Sequence, residues 1–148
     1  MLRLLTSVRW SFLRYFAIAR ARRGEGVGRG FWHLVQRSLG EESWPGRVVF
    51  EVEDPDEAVS DEAERLIRQR RIAFWRRCGA ELLPVHDYVL PDYTESGMTE
   101  PMLLMAGGAG ASVPAGGQLR QLVLAIYTDR YRMPADHPLV AGALASIG

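Results

Sequence analysis

Lysine is absent: all eighteen basic residues of this 148-residue chain are arginine. That excludes Schiff-base chemistry and the lysine of a nucleoside triphosphate P-loop. A single cysteine, Cys78, can form neither an internal disulfide nor a zinc cluster, which makes a reducing cytoplasm the default compartment. The three histidines, His33, His86 and His137, lack metal-ligand spacing, so no metal is expected and structural or surface roles are assigned to them. Long apolar runs are missing too. Arg3, Arg9 and Arg14 interrupt the N-terminal stretch MLRLLTSVRWSFLRYFAIAR, which reads as part of a soluble protein rather than a membrane anchor.

With 47% hydrophobic and 24% charged residues, the chain can bury one domain core. The net charge is zero but unevenly spread. Eight arginines and one acid, Glu25, precede residue 41, and ten acids against Arg47 alone lie between Glu41 and Glu64. Six arginines then follow between Arg65 and Arg77, interleaved with Leu66, Ile67, Ile72, Phe74 and Trp75. That pattern fits an amphipathic helix flanked by solvated charge, not a nucleic-acid stripe.

Residues 12 to 18, FLRYFAI, are apolar and aromatic apart from Arg14 and predict a mostly buried strand. A glycine-rich turn follows. From Gly28 to Leu39, Phe31, Leu34, Val35 and Leu39 recur at helical spacing, with Gly40 placed to end the helix. RVVFEVE, residues 47 to 53, is a β-branched strand stopped by Asp54-Pro55. Strand, helix and strand make a βαβ unit whose strands run parallel. A second helix is expected from Asp61, with Glu64 completing a capping box, to Gly79. AELLPV and PMLLMA predict two further strands, and the loop from Asp87 to Glu100 between them is too irregular to assign. GGAGASVPAGG reads as a flexible linker, and Leu119, Leu122, Val123, Ile126 and Tyr127 mark a C-terminal amphipathic helix. The fold class is α/β with a mixed sheet. The expected organisation is a sheet domain over 1–106, a linker over 107–117 and a helix with tail over 118–148.

RRGEGVGRG, residues 22 to 30, alternates glycine with other residues inside a run of arginines. Bare glycines let backbone N–H groups approach a ligand, and the helix start adds unpaired N–H groups and the positive end of its dipole. With Arg20, Arg22, Arg23 and Arg29 around it, this is a cradle for phosphate or pyrophosphate. A glycine-rich structural turn is the plainer alternative. The dinucleotide fingerprint fails in both registers, because its third glycine falls on Arg29 or Phe31.

The spacing Arg23-x-x-Gly26-x-Gly28 after a strand ending FAI, followed later by RRIAFWRRCGAELL, resembles the GNAT-type N-acetyltransferases over roughly residues 12 to 106. The resemblance implies a partial GNAT-like domain in which two parallel strands splay apart around acetyl-CoA. It implies that the backbone of Phe16, Ala17 and Ile18 holds the pantetheine arm and polarises the thioester carbonyl. Arg23, Gly24, Gly26, Val27, Gly28 and Arg29 would then hold the pyrophosphate. Direct attack by an amine needs a general base, and Glu51 and Glu53 share one face of their strand as candidates, an exposed polar face being the alternative. Where the family carries an acidic tyrosine this chain has Trp75, whose indole N–H is no acid at neutral pH, so Tyr88, Tyr93 or water is the substitute donor, a core role being the alternative for either tyrosine.

GNAT domains begin with helices and strands upstream of the cofactor strand, which this chain reaches by residue 12. The FLRYFAI strand is therefore expected to lack its antiparallel neighbour and to present an apolar edge that a second copy or a partner chain would cover. The implied function is acetyl transfer from acetyl-CoA to an amine acceptor, with no membrane or nucleic-acid partner. The alternative is a non-catalytic acyl-CoA-binding or interaction remnant.

Overall fold

The computed structural model describes residues 1–57, 60–91, 99–110 and 112–148. Strand β1 (Leu2–Leu5) and strand β2 (Trp10–Leu13) open the chain as an antiparallel hairpin, with Leu2 opposite Leu13 and Leu5 opposite Trp10. This corrects two expectations. The strand after the hairpin turn is Trp10–Leu13 rather than residues 12 to 18, and it does have an antiparallel neighbour, so the open edge belongs to β1. The turn is pinned from a distance by Ser7, whose backbone N–H and hydroxyl both donate to Asp129 Oδ2, at 3.2 and 2.8 Å.

Helix α1 (Val27–Glu41) crosses over to strand β3 (Arg47–Glu53), which pairs parallel to β2 through Ser11 with Val48 and Phe12 with Val49. Helix α2 (Glu62–Arg77) starts at Asp61, whose side chain accepts the Glu64 N–H at 3.1 Å, the expected cap. Gly79 follows at a φ of 84° and turns the chain back. Short strands β4 (Glu81–Leu82) and β5 (Val89–Leu90) each pair with strand β6 (Glu100–Gly108), whose residues from Met102 on also run antiparallel to the whole of β3. Among the described residues the sheet has six strands in the order β1-β2-β3-β6-β4, with β5 on the start of β6.

Alternation along β3 sends side chains to two different cores. Val48, Phe50 and Val52 pack with Trp32 and Leu39 of α1 and Ile72 and Trp75 of α2. Val49 packs on the other face with Leu5, Phe12 and Leu104, beneath helix α3 (Gly116–Ala125) and helix α4 (Pro138–Ala145). Leu119, Leu122, Val123, Ile126 and Tyr127, the predicted stripe, are at most 1% exposed. Each such burial contributes about 1.5–3 kcal/mol before entropy is subtracted, so α3 is fixed to the sheet. Helix α4 lies where only a tail is expected, and Val140 and Ala143 bury it in the same core.

The glycines at the start of the expected linker belong to β6. A Cβ on Gly108 would collide with the carbonyl oxygen of Gly46, and one on Gly107 would lie 3.0 Å from the Ala80 Cβ. Close backbone approach, not flexibility, requires them there.

Candidate functional site

The parallel ladder between β2 and β3 ends at Phe12 and Val49, although β3 continues to Glu53. Residues 14 to 19 belong to no strand or helix, so the ladder between the two parallel segments goes no further. Phe16, Ala17 and Ile18 lie on the departing segment, outside the predicted strand. The Trp75 ring bridges the two sides from α2, with centroids 5.1 Å from Phe16 and 4.4 Å from Phe50. Trp32 joins it edge-to-face at 5.2 Å, and Trp75 is only 5% exposed. Trp75 therefore serves as packing at the base of the opening.

The glycine turn stands at the end of the departing segment. Gly24 and Gly26 have φ of 88° and 78°, the left-handed region that a side chain adopts only with strain, and no atom would crowd a Cβ at either. Gly26 caps α1, whose first intrahelical bond runs from the Gly30 N–H to the Gly26 carbonyl at 3.0 Å. The N–H groups of Val27, Gly28 and Arg29 precede that bond and have no intrahelical acceptor. Gly28 seats the helix start closely: a Cβ there would lie 3.2 Å from the Phe74 ring and 3.4 Å from Ile18. Residues 24 to 26 are exposed.

Two of the loop arginines are engaged within it. Arg22 pairs with Glu25 at 2.8 Å, and Arg23 Nε donates to the Ile18 carbonyl at 3.0 Å, tying the loop to the departing segment. Arg20 and Arg29 make no ion pair among the described residues. Bared amides, a helix start and these cations fit a diphosphate.

Glu51 and Glu53, equivalent in sequence, differ in surroundings. Glu53 pairs with Arg71 of α2; burial raises its carboxyl pKa, but the Arg71 hydrogen bond and charge outweigh this and leave it lowered. Glu51 lies two residues past the last β2–β3 pair, on the same face as Val49. The Tyr88 hydroxyl donates to its Oε1 at 2.5 Å, and the Tyr131 hydroxyl to Oε1 and Oε2 at 2.6 and 2.7 Å. Burial pushes the Glu51 carboxyl from 4.5 up to about 7, against the Tyr88 hydrogen bond and the Arg130 charge, which pull it down. It can therefore exchange a proton near neutral pH.

Tyr88 is 1% exposed and its proton is directed at Glu51. Tyr93 lies outside the described residues. Cys78 is half-buried with its thiol pushed up by burial, unlike an activated nucleophile. Among the described residues no group of three or more His, Cys, Asp or Glu could hold a metal ion, and no helix is long and apolar enough to cross a membrane. Tyr131 and Arg130 escaped the sequence analysis. The available signal was Tyr131 four residues after Tyr127, at helical spacing, which the chain continues through a π turn over Ile126–Arg130.

No family model matches the sequence, and no curated protein matches it either. Solved structures do. A Bacteroides thetaiotaomicron protein described as an acetyltransferase of the GNAT family superposes with a TM-score of 0.62 at 26% identity, over 85% of this chain and 62% of its own. Nourseothricin acetyltransferase gives 0.51 at 22% identity, over 76% of this chain and 55% of its own. The chain thus spans less than two thirds of either neighbour. Its mixed sheet and flanking helices have the GNAT-type acetyltransferase fold.

Proposed function

We propose that this GNAT-fold chain transfers an acetyl group from acetyl-CoA to an amine acceptor by direct attack, with Glu51 as the general base. The observation that carries the reading is the parting of β2 from β3, with a bared helix start after the departing segment and a protonatable carboxylate two residues past the last β2–β3 pair. The N–H groups of Val27, Gly28 and Arg29, with the Gly24–Gly26 backbone and the Arg20, Arg23 and Arg29 guanidinium groups, would hold the diphosphate. Backbone along Phe16, Ala17 and Ile18 is outside any ladder and so can bond the pantetheine amides.

In the reaction the amine nitrogen forms a bond to the thioester carbon and the carbon–sulfur bond breaks. Glu51 takes the proton lost by the amine, and the sulfur leaves as a thiolate that water protonates. Free backbone N–H groups beside the acyl oxygen would stabilise the negative charge that develops there. Glu53, neutralised by Arg71, takes no part. The absence of any disulfide is compatible with a reducing cytoplasm.

Release of free thiol from acetyl-CoA across a panel of small amines and peptide amino groups tests the reading. At least one amine is expected to accelerate thiol release, and Glu51→Gln is expected to lower that rate by a hundredfold or more, on the order of a general base contribution. If no amine raises the rate above that of acetyl-CoA alone, the reading is wrong.

A further inference from the structure

We propose that Tyr131 is a positioning residue that fixes which oxygen of Glu51 receives the proton, an inference that rests on Glu51 acting as the base. Among the described residues, Tyr88, just before β5, and Tyr131, after α3, donate to this carboxylate, and Tyr127 and Arg130 from the same segment after α3 act on it electrostatically. On its own strand, Glu53 is held by Arg71.

The two outer tyrosines divide the work. The Tyr127 hydroxyl turns away to the Val89 backbone, donating to its carbonyl at 2.9 Å and accepting its N–H at 3.2 Å. Tyr131 is turned toward Glu51 by the π turn, which its own N–H closes on the Ile126 carbonyl at 3.3 Å. Its ring is held edge-on by Phe12 at 6.4 Å and covered by the Arg130 guanidinium at 4.7 Å. Phe12 is also the last residue of β2 that pairs with β3, so the contact ties Tyr131 to the point where these strands part.

A carboxylate has about four lone-pair positions. Among the described residues, Oε1 accepts from both Tyr88 and Tyr131, whereas Oε2 accepts only the longer arm of the Tyr131 bond. Oε2 therefore keeps an acceptor position and is the oxygen that takes the amine proton. Tyr131 holds the plane of the carboxylate so that this position stays open. Because its hydroxyl favours the anion, removing it should make Glu51 hold its proton more tightly.

The test is carbon-13 NMR of the Glu51 carboxyl group across pH, in wild type, Tyr131→Phe and Tyr88→Phe, beside the pH profile of thiol release. Tyr131→Phe is expected to raise the Glu51 midpoint by about one pH unit, the size of a hydrogen bond to a charged group, and to move the acid limb of the profile equally. A midpoint in Tyr131→Phe equal to that of wild type overturns the proposal. Should that variant not fold, the Tyr131 ring carbon bearing oxygen in wild type must shift with the Glu51 titration and cease to do so in Glu51→Gln; no such inflection also overturns it. A moved midpoint in a protein that releases no thiol with any amine supports the Tyr131–Glu51 coupling and counts against acetyl transfer.

Discussion

Tyr131 reaches Glu51 across 80 positions of sequence and donates to both of its oxygens. The contact joins the segment after α3 to β3, so the proposed base and its support come from distant parts of the chain. Their strengths can be weighed separately.

Stability should respond to Glu51 with a definite sign. Burial raises its carboxyl from the ordinary 4.5 to about 7 in the folded protein, so the folded state binds the proton more tightly. The stabilisation is fully present below pH 4.5 and is lost as pH rises through about 7. The loss is on the order of 3 kcal/mol. Urea denaturation at several pH values should show wild type losing about that much relative to Glu51→Gln between those limits; parallel curves would contradict it.

Glu53 provides the contrast. Glu53→Gln should leave thiol release within about twofold of wild type, because its Arg71 pair already commits the carboxylate. The pair is partly exposed, so its loss should cost no more than about 1 kcal/mol at neutral pH. Since the folded pKa is lowered, even that contribution disappears as pH falls through it. Steady-state rates for the two glutamate variants side by side decide which carboxylate is the base.

Two glycines on α1 with open space around them should respond in opposite directions. Gly26 sits at a φ of 78°, so Gly26→Ala should destabilise by about 1–2 kcal/mol. Gly30 lies inside the helix with nothing near its Cβ position, so Gly30→Ala should stabilise by about 0.5–1 kcal/mol. Thermal unfolding of both variants separates backbone strain from crowding.

The βαβ unit, the Asp61 cap and the apolar stripe of α3 were legible because each follows from local periodicity and capping chemistry. The hairpin was not, since the Leu2–Leu5 strand is short, carries Arg3 and gains its place only by pairing with β2. The departure after Leu13 was hidden for a similar reason: FLRYFAI is apolar and aromatic apart from Arg14, and only the end of the ladder with Val49 marks where β2 leaves β3. The two glutamates were found by alternation, but what distinguishes them comes from Arg71 on one side and Tyr88 and Tyr131 on the other. Those contacts are long-range and leave no local pattern.

Trp75 should prove structural. Its contacts with Phe16, Trp32 and Phe50 place it at the junction of α1, α2, β3 and the segment that follows β2. Trp75→Ala should cost about 3–5 kcal/mol by chemical denaturation. A loss below about 1 kcal/mol would show that the opening is not held by this ring.

The most direct test of acetyl-CoA binding at the glycine turn is titration calorimetry with wild type and Gly26→Val. The account predicts one site per chain in wild type and an affinity at least about tenfold weaker in the variant, equivalent to about 1.4 kcal/mol. Equal affinity in the two folded proteins, or no binding to wild type, would contradict it.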